Sequence, residues 1–164
     1  NQLVVRGLAF ESNVTKITLS GLPTRMDTLT NVFSTLASSG INVDIIIQNV
    51  NDKETTSLSF SVDTADLEET LDILGRHQKN LSYEEVAWEN DLAKVSIVGS
   101  GMISNPGVAA DMFRALSEQN IMIKMVSTSE IKVSTVISQK DLEPALEALH
   151  QTFRLGKEQM ALTS

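Results

Sequence analysis

Apolar residues alternate with polar ones over 16–20, with Ile17 and Leu19 on one face, and this predicts a half-buried strand. Met26, Leu29, Val32, Phe33 and Leu36 then recur at helical spacing, and Ser39-Gly40 closes that helix. The β-branched run Val43-Asp44-Ile45-Ile46-Ile47-Gln48 predicts a second strand, followed by polar turn residues 49–54. Alternation returns through Leu58, Phe60 and Val62. Leu67, Leu71, Leu74 and Gln78 trace a second helix, and 83–88 a fourth strand. The order is βαββαβ, which most simply forms a four-stranded antiparallel sheet with two helices on one face.

The pattern then repeats. Lys16-Ile17-Thr18-Leu19-Ser20-Gly21 returns as Lys94-Val95-Ser96-Ile97-Val98-Gly99, an offset of 78. Phe33 and Leu36 return as Phe113 and Leu116, and Ile41-Asn42-Val43 as Ile121-Met122-Ile123, at an offset of 80. The second turn is therefore two residues longer. The second copy predicts a strand over 93–98, a helix over 107–119, strands over 121–126 and 130–137, and a helix over 141–153, with Ser138 and Asp141 spaced as a capping box. Its fourth strand is weak, carried only by Met160, Ala161 and Leu162. A spare strand, Leu3 to Ala9, precedes the first copy. The expected organisation is one domain at 16–90 inserted into another made of 1–15 and 91–164. A period this long exceeds the roughly 20–50 residues of solenoid repeats and marks two small domains of one design.

Composition narrows the function. The chain has 164 residues, 41% hydrophobic, and no cysteine, which excludes disulfides and thiolate chemistry. No apolar run approaches the ~20 residues of a membrane span, no signal peptide is visible, and the expected location is the cytoplasm. The net charge of −8, with Lys and Arg scattered, argues against nucleic acid and leans towards cationic or zwitterionic ligands. Gly99-Ser100-Gly101 lacks the third glycine of a dinucleotide fingerprint, position 104 being serine, and reads as a tight turn. His77 and His150 have no carboxylate or serine partner at meaningful spacing, so no catalytic residues, metal site or cofactor are assigned.

Two loops carry the candidate binding chemistry. Thr24-Arg25-Met26-Asp27-Thr28 opens the first helix and Ser104-Asn105-Pro106-Gly107-Val108 its counterpart. Helix N-termini present unpaired N–H groups suited to a carboxylate. Opposite these loops, Asn42, Asp44 and Gln48 are expected on one face of the next strand, where they could take an ammonium group. Together the two halves suit a free amino acid.

The repeated βαββαβ unit with a Pro-Gly helix start resembles the ACT domain, a small-molecule regulatory module. The stretches 94–102, 104–109, 126–134 and 41–49 resemble the tandem ACT domains of aspartokinases, most closely the regulatory β subunit of the α2β2 type found in bacilli and corynebacteria. The resemblance covers essentially the whole chain. It implies an α+β fold of tandem ferredoxin-like domains, and a homodimer or an assembly with the aspartokinase α subunit. It also implies feedback sensing of lysine, threonine or both at interfaces between ACT domains. The catalytic segment Lys-Phe-Gly-Gly-Thr-Ser of that family has no counterpart here. The resemblance places the effector loop at Thr24, Arg25, Met26, Asp27, Thr28 and Leu29, with strand partners Asn42, Val43, Asp44 and Gln48. Met122 and Ile123 face them, and Ser104 to Val108 with Ser129 and Glu130 serve a second effector. Thr24 replaces the family's aspartate, Met26-Asp27 its Pro-Gly, and Met122 an asparagine. These departures weaken a threonine pocket, while Asp44 and Glu130 suit lysine. The alternative function is the regulatory subunit of another amino-acid biosynthetic enzyme, such as acetolactate synthase, whose pocket would be apolar.

Overall fold

A computed structural model describes residues 4–52, 54–155 and 160–162. The chain divides into two compact units, a first of Asn13–Asn90 and a second of Asn1–Ser12 with Asp91–Ser164. The strand segments expected at the two ends of each copy are parts of two long strands, β1 (Val5–Pro23) and β4 (Glu85–Gly99). Each strand gives one half to each unit. The crossing points fall at Asn13 and Asp91, both with φ of 59°, and Asn and Asp are the non-glycine residues that best tolerate this left-handed conformation. Leu3 of the expected opening strand lies outside the described residues.

In the first unit the strand order is β2-β3-β1-β4, with β2 at Ile46–Val50 and β3 at Thr55–Asp63. Both β1–β3 and β2–β3 are antiparallel, with Ile17 opposite Phe60 and Ile46 opposite the same Phe60. Helices α1 (Thr28–Ser38), α2 (Leu67–Arg76) and the short α3 (Gln78–Leu81) supply Val32, Leu36, Ile73, Leu74 and Leu81 to a core shared with Ile17, Leu19, Leu58 and Phe60. The alternation in β1 and β3 is the reason: every second side chain points to the helices. Phe33 meets Phe60 edge to face at 5.6 Å, and the buried Tyr83 hydroxyl donates to the Leu74 carbonyl at 2.9 Å. Burial pushes the Tyr83 phenol pKa up.

The second unit has the order β1-β4-β6-β5, with β5 at Met125–Thr128 and β6 at Lys132–Ser138, and β7 (Met160–Leu162) pairs parallel to β1. Helices α4 (Pro106–Glu118) and α5 (Leu142–Phe153) close its core, where Val95 and Ile97 meet Met112, Leu116, Ala145 and Leu149. Each of these side chains except the small Ala145 contributes on the order of 1.5–3 kcal/mol.

The units repeat down to single hydrogen bonds. Ile41 N–H donates to the Leu36 carbonyl at 3.1 Å, and Ile121 N–H to Leu116 at 3.0 Å. A 3₁₀ turn precedes α2 and another precedes α5, entered from Asp63 (φ −66°, ψ 135°) and Ser138 (φ −64°, ψ 137°). This turn corrects the expected capping box. Helix α5 begins at Leu142 with Asp141 as its N-cap, so Ser138 is too far upstream and its side chain makes no capping bond. The strand expected at 43–48 is also corrected. β2 starts only at Ile46, because Ile45 N–H is taken by the Ser61 hydroxyl at 2.9 Å and the ladder is irregular there.

Candidate functional site

In the first unit, the loop 24–27 enters α1 at the end of the sheet where Pro23 lies opposite Thr55. Thr24 N–H donates to the Glu54 carbonyl at 3.1 Å, and the Thr24 hydroxyl meets Thr56 Oγ1 at 2.8 Å. These bonds tie the loop to the β2–β3 turn. Asp52 holds that turn by accepting from the Glu54 and Thr55 N–H groups, each at 2.7 Å. The same two bonds hold the exposed Asp52 carboxyl below its ordinary pKa. Arg25 and Asp27 form an exposed pair at 3.7 Å, Met26 is fully exposed, and Leu29 packs on the core. Asp27 is the N-cap of α1 yet makes no side-chain cap, and the first turn holds no acidic residue. The Thr28 N–H is taken by the Arg25 carbonyl at 3.4 Å, and the rest of the first turn has the helix dipole behind it and no side-chain cap.

Asn42, Val43 and Asp44 lie elsewhere. They follow the C-terminus of α1, and Asp44 N–H donates to the Ser61 carbonyl at 3.1 Å. Ser61 opposes Lys16, whereas Thr55 opposes Pro23. Seven residues of β1 separate the two points, roughly 23 Å at about 3.3 Å per residue. The expectation that Asn42 and Asp44 face the Thr24–Leu29 loop is thus corrected for a single unit: they occupy opposite ends of the sheet. Nor do Asn42, Asp44 and Gln48 share a strand face, since only Gln48 lies within β2. Asn42, Asp44 and Gln48 are exposed, and Val43 packs against the core. β2 is exposed along its whole length, with Ile46 at 48%, Ile47 at 36% and Val50 at 53%.

The second unit repeats the division. Met102 N–H donates to the Glu130 carbonyl at 2.9 Å, and Ser129 N–H to Lys132 at 2.8 Å. The Ser104–Gly107 loop and the Ser129–Glu130 turn are therefore neighbours. Asn105 sends its amide back to the Gly101 carbonyl at 2.8 Å and leaves the first turn of α4 uncapped, with Pro106 at its start. Nothing lies within 4 Å of where a Gly107 side chain would begin, so the backbone is open there. Val108 is buried in the core and offers no side chain to a ligand. Met122, 71% exposed, and Ile123 follow the other end of α4. At about 1.5 Å per helical residue they stand roughly 20 Å from Ser104.

Asp52, Glu54 and Thr56 were not singled out from the sequence, although an Asp two and three residues before the N–H groups it caps is a turn signal. Among the described residues, no three His, Asp or Glu side chains converge as a metal site, and no helix is long and apolar enough to cross a membrane.

A profile for the ACT domain matches residues 95–153. The aspartokinase of Bacillus sp. strain MGA3 is 57% identical over 154 residues, 94% of this chain and 38% of that relative. The chain spans about two-fifths of the length of the curated relatives it matches. Among solved structures, one of aspartokinase alpha and beta subunits is 41% identical, with a TM-score of 0.84, covering 92% of this chain and 99% of that one. The ligand-free regulatory subunit of aspartate kinase from Thermus thermophilus is 37% identical, with a TM-score of 0.85 and the same coverage. E. coli aspartokinase III in complex with lysine and aspartate is 25% identical with a TM-score of 0.67, covering 92% of this chain and 33% of that one. With nearly the full length of two solved aspartokinase chains matched, this chain belongs to the aspartokinase family and covers its regulatory, ACT-domain part.

Proposed function

We propose that the chain is a non-catalytic regulatory subunit that binds lysine, and secondarily threonine, and transmits feedback inhibition to an aspartokinase α subunit in the cytoplasm. The observation that carries this reading is the separation within each unit. A helix start suited to a carboxylate and the exposed carboxylate of Asp44 lie at opposite ends of an exposed edge strand, β2. Neither end alone holds a zwitterion. Two copies joined antiparallel along β2 about a two-fold axis bring the start of one strand beside the end of the other. Each Asp44 then lies near the partner's Thr24–Thr28 loop, and two complete sites form at once. The exposed Ile46, Ile47 and Val50 and the unpaired N–H and C=O groups of the edge give this pairing its driving force.

Lysine is favoured because it carries a second ammonium and a net positive charge, which the chain's net charge of −8 draws. A lysine complex of a related aspartokinase supports the choice. Association with a kinase subunit is supported by the solved alpha–beta structure. The acetolactate-type alternative has no observation in its favour. A thermal-shift panel of twenty amino acids tests the reading. A ligand at about 100 times its Kd stabilises the native state by roughly 2.7 kcal/mol, so lysine or threonine should raise the melting temperature. A rise with leucine or valine alone contradicts it.

A further inference from the structure

We infer that the outer edge of β4 in the first unit, at Glu85–Trp88, is a docking site for an extended basic segment of another polypeptide, which adds to the sheet as a parallel strand.

The edge is a copy of one that the chain already covers. Leu8-Ala9-Phe10-Glu11 returns as Val86-Ala87-Trp88-Glu89, at the offset of 78 that relates Lys16 to Lys94. Each segment is the last strand in its unit's four-stranded order, β1 in the second unit and β4 in the first. In the second unit β7 runs parallel to β1, with Met160, Ala161 and Leu162 registered on Leu8, Ala9 and Phe10. Leu8 and Ala9 are buried there. In the first unit, among the described residues, β6 joins β4 only from Leu92 onward, and no strand flanks 85–90 on that side. Ala87 is exposed and Trp88 is 50% exposed, while Val86 packs on the core. The same aliphatic–alanine–aromatic strand is thus covered by a fifth strand in one unit and open in the other. An open edge offers its backbone N–H and C=O groups to an added strand.

Charge selects the occupant. Between Lys79 and Lys94 the chain has four acidic residues, Glu84, Glu85, Glu89 and Asp91, and no basic one. All four are exposed. At the covered edge, Arg6 and Gly7 stand where Glu84 and Glu85 stand here. A second copy of this chain fits poorly. Two such edges paired with each other would set like charges side by side, and its β7 is committed to β1. A strand with apolar residues registered on Val86 and Trp88, and cations flanking them, meets both the side chains and the charge of this edge.

Trp88 is the only tryptophan of the chain, so its fluorescence reads the edge directly. The blocked peptides Lys-Met-Ala-Leu-Lys, Gln-Met-Ala-Leu-Gln and Glu-Met-Ala-Leu-Glu are titrated into the full chain. The basic peptide should move the Trp88 emission to the blue with saturation. It should bind at least about tenfold more tightly than the acidic one, because like charges in contact oppose association. Glu85→Lys should narrow that preference. No saturable shift with any peptide at millimolar concentration, equal affinity for all three, or an unchanged preference in Glu85→Lys overturns the inference. So does a blue shift that grows with protein concentration alone, which would place a second copy on the edge.

Discussion

At the scale of the residue, one aspartate holds structure and another carries the proposed recognition. Asp52 is structural: it locks the β2–β3 turn through two backbone N–H groups. Because its folded pKa is lowered, its contribution to stability is complete above the ordinary aspartate value and is lost as pH falls through the lowered one. Asp52→Asn keeps an acceptor but cannot titrate. Its melting temperature should lie below that of the wild type at neutral pH, with the gap closing as pH falls below the carboxylate range. A gap independent of pH contradicts the assignment. Asp44 is exposed, and Asp44→Ala, a surface replacement, should change stability by less than about 0.5 kcal/mol. Effector affinity should fall by roughly fivefold or more, the equivalent of about 1 kcal/mol for a charge pair near a surface. In a complex with the kinase subunit this appears as a higher lysine concentration for half inhibition. Unaltered affinity by calorimetry contradicts the role.

At the scale of the element, alternation and helical spacing made most strands and helices legible, because one face of each is buried against the core, whereas β2, exposed along its whole length, was legible only as a β-branched run. Ile17, Leu19, Leu58 and Phe60 needed only the period of two. Joins and ends were less legible. Nothing in residues 10–15 or 89–92 announces that strand continues through them, since the continuation depends on single left-handed residues, Asn13 and Asp91. The start of β2 slipped by three residues because a distant side chain, Ser61, takes a backbone N–H. The site suffered most from this. The loops and Asp44 were legible as residue types, but their distance depends on strand register, which the sequence does not display.

Two glycines test the packing of these elements in opposite directions. A Cβ on Gly99 would lie 1.7 Å from the Val4 carbonyl oxygen, so Gly99→Ala should destabilise by about 1–3 kcal/mol or more. Gly107 is helical with open space around it, and Gly107→Ala should stabilise by up to about 1 kcal/mol through helix propensity. Denaturant midpoints measure both, and equal signs contradict the geometry.

At the scale of the whole molecule, the proposed function joins an exposed apolar edge to a proposed half-site at each of its ends, so that assembly and ligand binding would be one event. Binding that completes a site across two copies must tighten their association, since ligand and partner affinities are linked reciprocally. The most direct measurement is sedimentation equilibrium of the chain over a range of lysine concentrations. The account predicts a dimer whose dissociation constant falls as lysine rises, with the linkage lost in Asp44→Ala. A chain that stays monomeric at tens of micromolar with saturating lysine and threonine, or a dimer indifferent to both, contradicts it.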